Sequence, residues 1–303
     1  MKMEHVPVLL NEVLEFLDPN PGDLIIDGTI NGGGHSRAIL EKILPSGKLL
    51  GVDLDPAILK TTKKRLKEFA KEKSGSLEDS IILVNGNYAD LPEIIKTQEL
   101  PKAEGLLIDL GFSSEQIEQS GRGFSFERDE PLLMTYNDSI PPVKEIIRSL
   151  DEEELADVIF KLGGERLSRR IAKAIKESGR KKKIETSLEL AEIIRRAVPR
   201  NYERGRINPA TRTFQALRIF ANDELGNLEK VLVNLKSILN KNGRAIFISF
   251  HSLEDRLIKN YFRDQEKTGE LKILTKKPIS PSLSEIKSNP RSRSAKLRAV
   301  VIN

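Results

Sequence analysis

The sequence contains no cysteine and no tryptophan, and only three of its 303 residues are histidines. The missing thiols exclude disulfides, cysteine-ligated zinc and catalysis by an enzyme thiolate, and they fit a reducing compartment. None of the histidines is part of a His-x-x-x-His pair, which excludes the metal site of a zincin helix. We therefore expect no metal site.

Long hydrophobic runs are also lacking. No stretch of about 18 apolar residues is present, so no membrane-spanning helix is expected. Residues 1–7 have neither the charged region nor the apolar region of a signal peptide. Together with the absence of cysteine, these features predict a cytoplasmic protein.

Charge is distributed unevenly along the chain, although the formal net charge is only +5. Residues 115–157 contain 12 acids and 4 bases, residues 161–212 contain 16 bases and 6 acids, and residues 276–298 contain 7 bases and 1 acid. Two basic blocks that are separated in sequence indicate a surface for nucleic-acid phosphates. Each block by itself is equally consistent with a solvated, highly charged helix face.

A glycine-rich loop follows the first apolar run of the chain. Residues 24–27 end in Asp27, four glycines lie between residues 28 and 34, and a helical pattern starts at Ser36. Glycines permit positive φ and close approach of a ligand to the main chain, and a helix N-terminus favours an anionic group. The spacing fits neither the G-x-G-x-x-G fingerprint of a nicotinamide oxidoreductase nor a Walker loop.

A second strand, residues 48–53, ends in Asp53. This is the position at which α/β nucleotide-binding folds hold ribose hydroxyls with an acidic side chain. A strand, a glycine loop, a helix, a strand and an acid in this order are typical of an S-adenosylmethionine site. The alternative is a glycine-rich turn in an ordinary βα unit whose acids cap the next helix.

The pattern of the whole chain predicts one α/β domain with an insertion. Apolar runs alternate with helical patterns up to residue 111, which is typical of a parallel sheet covered on both faces. Residues 112–212 then become irregular and helical, and strand character returns at residues 243–250, 271–275 and 295–302. We predict a mostly parallel, doubly wound sheet domain from residues 1–111 and 213–303, and an inserted all-α subdomain, residues 112–212, that recognises the substrate.

The missing thiol also restricts the chemistry, because methylation of a pyrimidine at C5 normally proceeds through a thiolate adduct. A methyltransferase with this sequence is expected to alkylate nitrogen or oxygen by direct in-line displacement, with the acceptor held near attack distance. Asp109, at the end of the fourth predicted strand, is placed either to accept a hydrogen bond from an exocyclic amine or to bind the cofactor. The sequence does not separate these two roles.

Two further places are candidate substrate contacts. His251 and Ser252 follow a predicted strand, although a histidine at a strand end is more often structural than catalytic. Arg291 and Arg293 lie in a basic segment that is either a flexible loop or a phosphate clamp, and the fixed donor fork of arginine suits phosphate.

Eight segments, in order along nearly the whole chain, resemble the MraW family, ribosomal RNA small subunit methyltransferase H. They are HVPVLL at 5–10, DGT at 27–29 with GGHS at 33–36, DLDP at 53–56, DLGFSS at 109–114 with Gln116, RGFSF at 122–126, ATRTFQA at 210–216, ISFHSLEDR at 248–256 and NPR at 289–291. Eight matched segments are far more specific than a single glycine loop.

The resemblance implies a class I, Rossmann-like, S-adenosylmethionine-dependent methyltransferase that methylates N4 of a cytidine in 16S rRNA of the small ribosomal subunit, near the decoding centre. The cysteine-free composition predicts direct methyl transfer without a covalent enzyme intermediate, and no obligatory protein partner is evident from the sequence. By position, the resemblance implies cofactor contacts at Gly33, Gly34, His35, Asp53, Tyr88, Asp109 and Gln116. The expected substrate contacts remain His251, Ser252, Arg291 and Arg293.

Two alternatives stay open. The first is a DNA amino-methyltransferase, because basic blocks do not distinguish RNA from DNA. The second is an RNA-binding ribosome-assembly factor without turnover. This second alternative depends on residues 131–136, which read PLLMTY where the family usually has PLDMRM, so that an acid and an arginine are missing.

Overall fold

The structure is a computed structural model that describes residues 7–74, 80–111 and 121–303. The chain divides into two compact units. We call residues 1–113 together with 225–303 the sheet unit, and residues 114–224 the helical unit.

The sheet unit contains a seven-stranded sheet with the order β3-β2-β1-β4-β5-β7-β6. The strands are β1 (Leu24–Asp27), β2 (Lys48–Asp53), β3 (Ile81–Asn85), β4 (Ala103–Asp109), β5 (Leu239–Ser249), β6 (Leu271–Ile273) and β7 (Lys296–Ile302). Strands β3, β2, β1, β4 and β5 are parallel, and β7 is antiparallel to both of its neighbours. The chain moves outward from β1 in one direction and from β4 in the other, so the switch point of this doubly wound sheet lies between β1 and β4.

Helices of the sheet unit pack on both faces of this sheet. They are α1 (Leu10–Leu17), α2 (Gly34–Ile43), α3 (Pro56–Ser74), α4 (Leu91–Thr97), α10 (Glu224–Val233, in this unit from residue 225), α11 (Leu235–Ile238), α12 (Ser252–Lys267) and α13 (Leu283–Ser288). Successive side chains of a strand point to opposite faces. Accordingly, Ile26 belongs to one buried cluster with α4, α10 and α12, and Ile25 belongs to the other with α1 and α2. The predicted α/β class and mostly parallel sheet are confirmed.

The helical unit contains α5 (Val143–Ser149), α6 (Glu152–Gly163), α7 (Ser168–Lys181), α8 (Ser187–Ala197) and α9 (Ala210–Ala221). Asp151 and Thr186 begin α6 and α8 with capping boxes, which satisfy backbone N–H groups that have no partner within the helix. Helix α9 contributes to the core of this unit, since Phe214 and Leu217 are buried in the same cluster as Ile159. The helical unit therefore ends at residue 224, whereas the sequence placed the boundary after residue 212.

Among the described residues, no helix is both long enough and apolar enough to cross a membrane.

Candidate active site

The loop that follows β1 is held in place by its two neighbouring strands. The N–H of Gly28 donates to the carbonyl of Leu107 on β4 at 2.9 Å, and the N–H of Ile30 donates to that of Val52 on β2 at 3.0 Å. These bonds place the glycine loop at the carboxyl ends of β1, β2 and β4. Ligand crevices of open α/β sheets lie at this edge, next to the switch point.

Gly33 and Gly34 of this loop leave room for neighbouring side chains. Gly33 has a φ of 78°, and a Cβ added there would lie 2.7 Å from Cγ2 of Thr62 on α3. A Cβ on Gly34 would lie 3.2 Å from the ring of Pro7. Gly33 is also the N-cap of α2 and has no side chain to cap it, so backbone N–H groups of the first turn can receive an anionic group.

Asp53 lies at the end of β2 and is only 7% exposed. Its Oδ2 accepts the N–H of Asn31 at 3.0 Å, and its Oδ1 accepts the N–H of Asp55 at 2.9 Å. Burial raises the pKa of this carboxyl to about 6, because desolvation outweighs the two hydrogen bonds. Each oxygen keeps a second lone pair, and this fixed pair of acceptors suits two vicinal hydroxyls.

Asp27, which the sequence analysis did not select as a site residue, is a buried acid beneath the glycine loop. Its Oδ2 accepts the hydroxyl of Ser36 at 2.6 Å, and its Oδ1 accepts the N–H of Thr29 at 3.2 Å. Burial raises the pKa of Asp27. The bonds at both oxygens connect the end of β1 to the start of α2, so Asp27 supports the loop. The sequence signal that could have identified Asp27 is its position as an acid at the end of an apolar strand.

His35 and Asp109 lie close together. The His35 Nε2 atom is 2.9 Å from the carbonyl oxygen of Val8, and its Nδ1 atom is 3.7 Å from Oδ2 of Asp109. Burial lowers the pKa of His35, which favours the neutral ring with its proton on Nε2, donated to Val8. The imidazole is thus hydrogen-bonded to the amino-terminal segment, while its unprotonated Nδ1 lies near the carboxylate of Asp109 without donating to it.

Asp109 is held by hydrogen bonds at its backbone N–H and at its side chain. Its N–H donates to the hydroxyl of Thr29 at 2.6 Å, and its Oδ1 accepts the N–H of Gly111 at 3.2 Å. The residue is 7% exposed. A carboxylate fixed at a strand end in this way can accept a hydrogen bond with little reorganisation.

Tyr88 lies in a short 3₁₀ turn, Tyr88–Asp90, after β3. Its ring is half-buried, and its Cβ lies 3.1 Å from the position that a Cβ on Gly28 would occupy. The turn adjoins β2, since the N–H of Gly86 donates to the carbonyl of Asp53 at 3.0 Å. Tyr88 is therefore anchored near the ends of both β1 and β2.

These residues fit S-adenosylmethionine. The two fixed acceptors of Asp53 suit ribose hydroxyls, the amino end of α2 suits a carboxylate, and the half-buried ring of Tyr88 suits a purine face. The predicted contact Gln116 lies outside the described residues.

His251 caps a helix at the end of β5. Its Nδ1 accepts the N–H of Glu254 at 3.4 Å, and its Nε2 lies 3.1 Å from Oε1 of Glu254. In return, Oε2 of the buried Glu254 accepts the N–H groups of Phe250 and His251 at 2.8 and 3.1 Å. This geometry gives His251 a structural role, while Ser252 is exposed in the first turn of α12. Substrate contact by either residue stays a prediction.

Arg291 and Arg293 are exposed in a 3₁₀ turn, Pro290–Ser294, that leads into β7. Between them, Ser292 is fully buried and donates its hydroxyl to the carbonyl of Asn289 at 2.8 Å. The two arginines therefore stand on an anchored turn. Their contact with phosphate stays a prediction.

The altered loop at residues 131–136 belongs to the core of the helical unit. Leu132 and Met134 are buried, and Arg122 donates to the carbonyl and to the hydroxyl of Thr135 at 2.6 and 3.0 Å. Thr135 therefore is buried in this loop and accepts two hydrogen bonds from Arg122.

Comparison with known proteins shows the family to which the chain belongs. The model of the MraW methylase family matches residues 2–302. Ribosomal RNA small subunit methyltransferase H of Thermotoga neapolitana is 44% identical over 299 residues, which are 97% of this chain and 95% of that protein. Two further proteins of the same name are similar: that of Sulfurihydrogenibium sp. is 45% identical and that of Geobacter sulfurreducens is 41% identical. Both matches cover at least 98% of this chain and of the relative.

The family match spans nearly the whole chain, and the sheet has the mostly parallel, doubly wound order of class I methyltransferases. The chain belongs to the MraW methylase family and is a methyltransferase whose methyl donor is S-adenosylmethionine.

Proposed function

We propose that this enzyme methylates the exocyclic N4 of a cytidine in 16S rRNA of the small ribosomal subunit, near the decoding centre. The observation that carries the proposal is the similarity, over nearly the full length, to proteins named ribosomal RNA small subunit methyltransferase H. The absence of cysteine supports nitrogen as the acceptor, because C5 methylation normally needs a thiolate. A substrate on the assembling ribosome puts the reaction in the cytoplasm.

Residues of the sheet unit are proposed to hold the cofactor. The carboxylate of Asp53 would accept the ribose hydroxyls, the backbone at Gly33 and Gly34 would receive the carboxylate, and Tyr88 would pack on the adenine. His35 would act through its backbone at the start of α2, since its side chain is engaged with Val8. When bound, S-adenosylmethionine supplies an electrophilic methyl group on a sulfonium sulfur.

Asp109 is the proposed catalytic residue. Its carboxylate would accept an N–H of the target amine, which localises the nitrogen lone pair that is otherwise delocalised into the ring. The same carboxylate is a place for the proton that the amine loses, and Nδ1 of His35, 3.7 Å from Oδ2, is the neighbouring basic atom. The rest of the rate enhancement comes from positioning. A target base has to leave its stack to reach such a site, as is general for enzymes that modify bases.

The test uses labelled S-adenosylmethionine with unmodified small ribosomal subunits, naked 16S rRNA and single-stranded DNA as acceptors. Digested nucleosides are identified by mass spectrometry, and Asp109→Asn serves as the comparison variant. We expect N4-methylcytidine from rRNA, and strongly reduced transfer by the variant. 5-Methylcytidine, or transfer to DNA alone, would refute the proposal. RNA binding and cofactor binding without transfer would favour an assembly factor.

A further inference from the structure

Five arginines lie within twelve residues of the helical unit, between the last turn of α8 and the start of α9. They are Arg195, Arg196, Arg200, Arg204 and Arg206, and all five are exposed. We call residues 195–206 the arginine segment. The whole chain contains more lysine than arginine, yet this segment has no lysine and a single acid, Glu203.

Only two of these five arginines have an evident role in stabilising the fold. Arg195 and Arg196 lie in the last turn of α8, where a positive charge interacts favourably with the helix dipole. Arg196 also pairs with Glu192 at 3.1 Å. Arg200, Arg204 and Arg206 lie beyond α8, and they form no ion pair or side-chain hydrogen bond with the side chains that the structure describes.

The backbone of the segment has a defined shape. The N–H of Tyr202 donates to the carbonyl of Pro199, and that of Arg204 donates to the carbonyl of Asn201, both at 3.0 Å. Arg204 and Gly205 then adopt consecutive left-handed conformations, with φ of 52° and 72°. A non-glycine residue in this region is strained, and the surrounding contacts have to offset that strain.

A buried carboxylate holds the centre of the segment. The hydroxyl of Tyr202 donates to Glu165, which is completely buried. Glu165 also accepts the N–H of Leu167 at 2.8 Å, and its Oε2 lies 3.8 Å from Nη1 of Arg212. A buried charge with several partners is costly to disturb, so it fixes the turn that carries Arg204 and Arg206.

We propose that the arginine segment binds the sugar–phosphate backbone of the RNA substrate. The planar guanidinium presents paired donors that match phosphate oxygens, which lysine does not. An anchored turn also loses less conformational entropy on binding than a mobile loop. Phosphate contacts position a nucleic acid without reading its sequence. The inference rests on the proposed function, since that function makes RNA the substrate.

The test compares two triple variants with the same change in net charge. Arg200→Gln, Arg204→Gln and Arg206→Gln neutralise the segment; Lys48→Gln, Lys230→Gln and Lys241→Gln neutralise exposed lysines of the sheet unit. Affinity for a fluorescent 16S rRNA fragment is measured by anisotropy between 50 and 200 mM salt. Each phosphate contact contributes about 0.7–0.9 to the slope of log K against log salt.

Loss of three contacts would therefore lower that slope by about 2 to 3, so that the wild type loses roughly 20- to 40-fold more affinity over this salt range than the arginine variant. The lysine control should keep the wild-type slope. Arg-to-Lys replacements at the same three positions should keep the slope and lose a few-fold in affinity, because the charge remains but the donor fork does not.

Binding of S-adenosylhomocysteine, measured by calorimetry, should be the same in all variants and shows that each has folded. Equal slopes for the arginine variant and the lysine control, with wild-type methyl transfer to rRNA intact, would overturn the inference alone. A wild-type protein that neither binds nor methylates rRNA would refute the proposed function and the inference together.

Discussion

Cofactor affinity is expected to weaken as the pH falls through about 6, because of Asp53. Burial raises the pKa of this carboxyl from 3.8 to about 6; the charges of Asp55 and Asp27 add to the shift, and the N–H groups of Asp55 and Asn31 oppose it. Both carboxylate oxygens already accept an N–H group. Only the ionised form keeps enough lone pairs to accept two hydroxyls as well.

The size of the effect follows from the pKa. If binding requires the ionised carboxylate, the apparent Kd at pH 5 is about tenfold higher than at pH 7.5. The stability of the ligand-free protein changes in the opposite direction and decreases as the pH rises. The reason is that the native state binds the Asp53 proton more tightly than the unfolded chain does. The free energy of unfolding therefore falls by about 3 kcal/mol as the pH rises from about 4 to above 6.

The pH dependence of cofactor affinity is measured by calorimetry with S-adenosylhomocysteine between pH 5 and 8. Asp53→Asn should bind more weakly at every pH and lose the change near pH 6. Asp55→Asn is the matched control: it keeps an oxygen for the N–H groups of Ala57 and Ile58 but removes a neighbouring charge, so the transition should move to lower pH. The same pH dependence in wild type and Asp53→Asn would refute the reasoning and point to Asp27 or His35.

Three further predictions concern single features of the fold. Gly33→Ala should lower the free energy of unfolding by about 1–2 kcal/mol and weaken S-adenosylhomocysteine binding, because of its φ of 78° and the contact with Thr62. Gly179→Ala, in open space on α7, is its control in thermal melting and should be neutral or stabilising. Arg291→Gln with Arg293→Gln should lower RNA affinity and its salt dependence; an unchanged slope would assign that turn to structure alone. Tyr202→Phe should lower the free energy of unfolding in urea by about 1–3 kcal/mol, since it removes a hydrogen bond to buried Glu165, and a loss below 0.5 kcal/mol would contradict that role.

Local patterns predicted the residues that end the strands. Asp27, Asp53 and Asp109 each follow an apolar run, and parallel strands bring their carboxyl ends to one edge of the sheet. The alternation of these runs with helical patterns was enough to predict a mostly parallel sheet. The thiol-free composition likewise needed no structure to exclude a catalytic thiolate.

Sequence patterns gave less information on why particular residues are needed. The glycine loop suggested room for a ligand, whereas Gly33 and Gly34 also leave space for Thr62 and Pro7. His35 was expected at the cofactor, yet its ring is directed at Val8 and Asp109. These contacts depend on how α2, α3 and the amino-terminal segment pack, and spacing along the chain does not encode that packing.

The sequence by itself therefore determined the fold class, the order of strand, glycine loop and acid, and the family. Periodicity and turn residues report the local conformation, and those features are local. Tertiary structure alone decided that α9 belongs to the helical unit and that Glu165 anchors Tyr202, which lies 37 residues away along the chain. Which buried faces meet is a property of the whole fold, because burial is shared among elements distant in sequence.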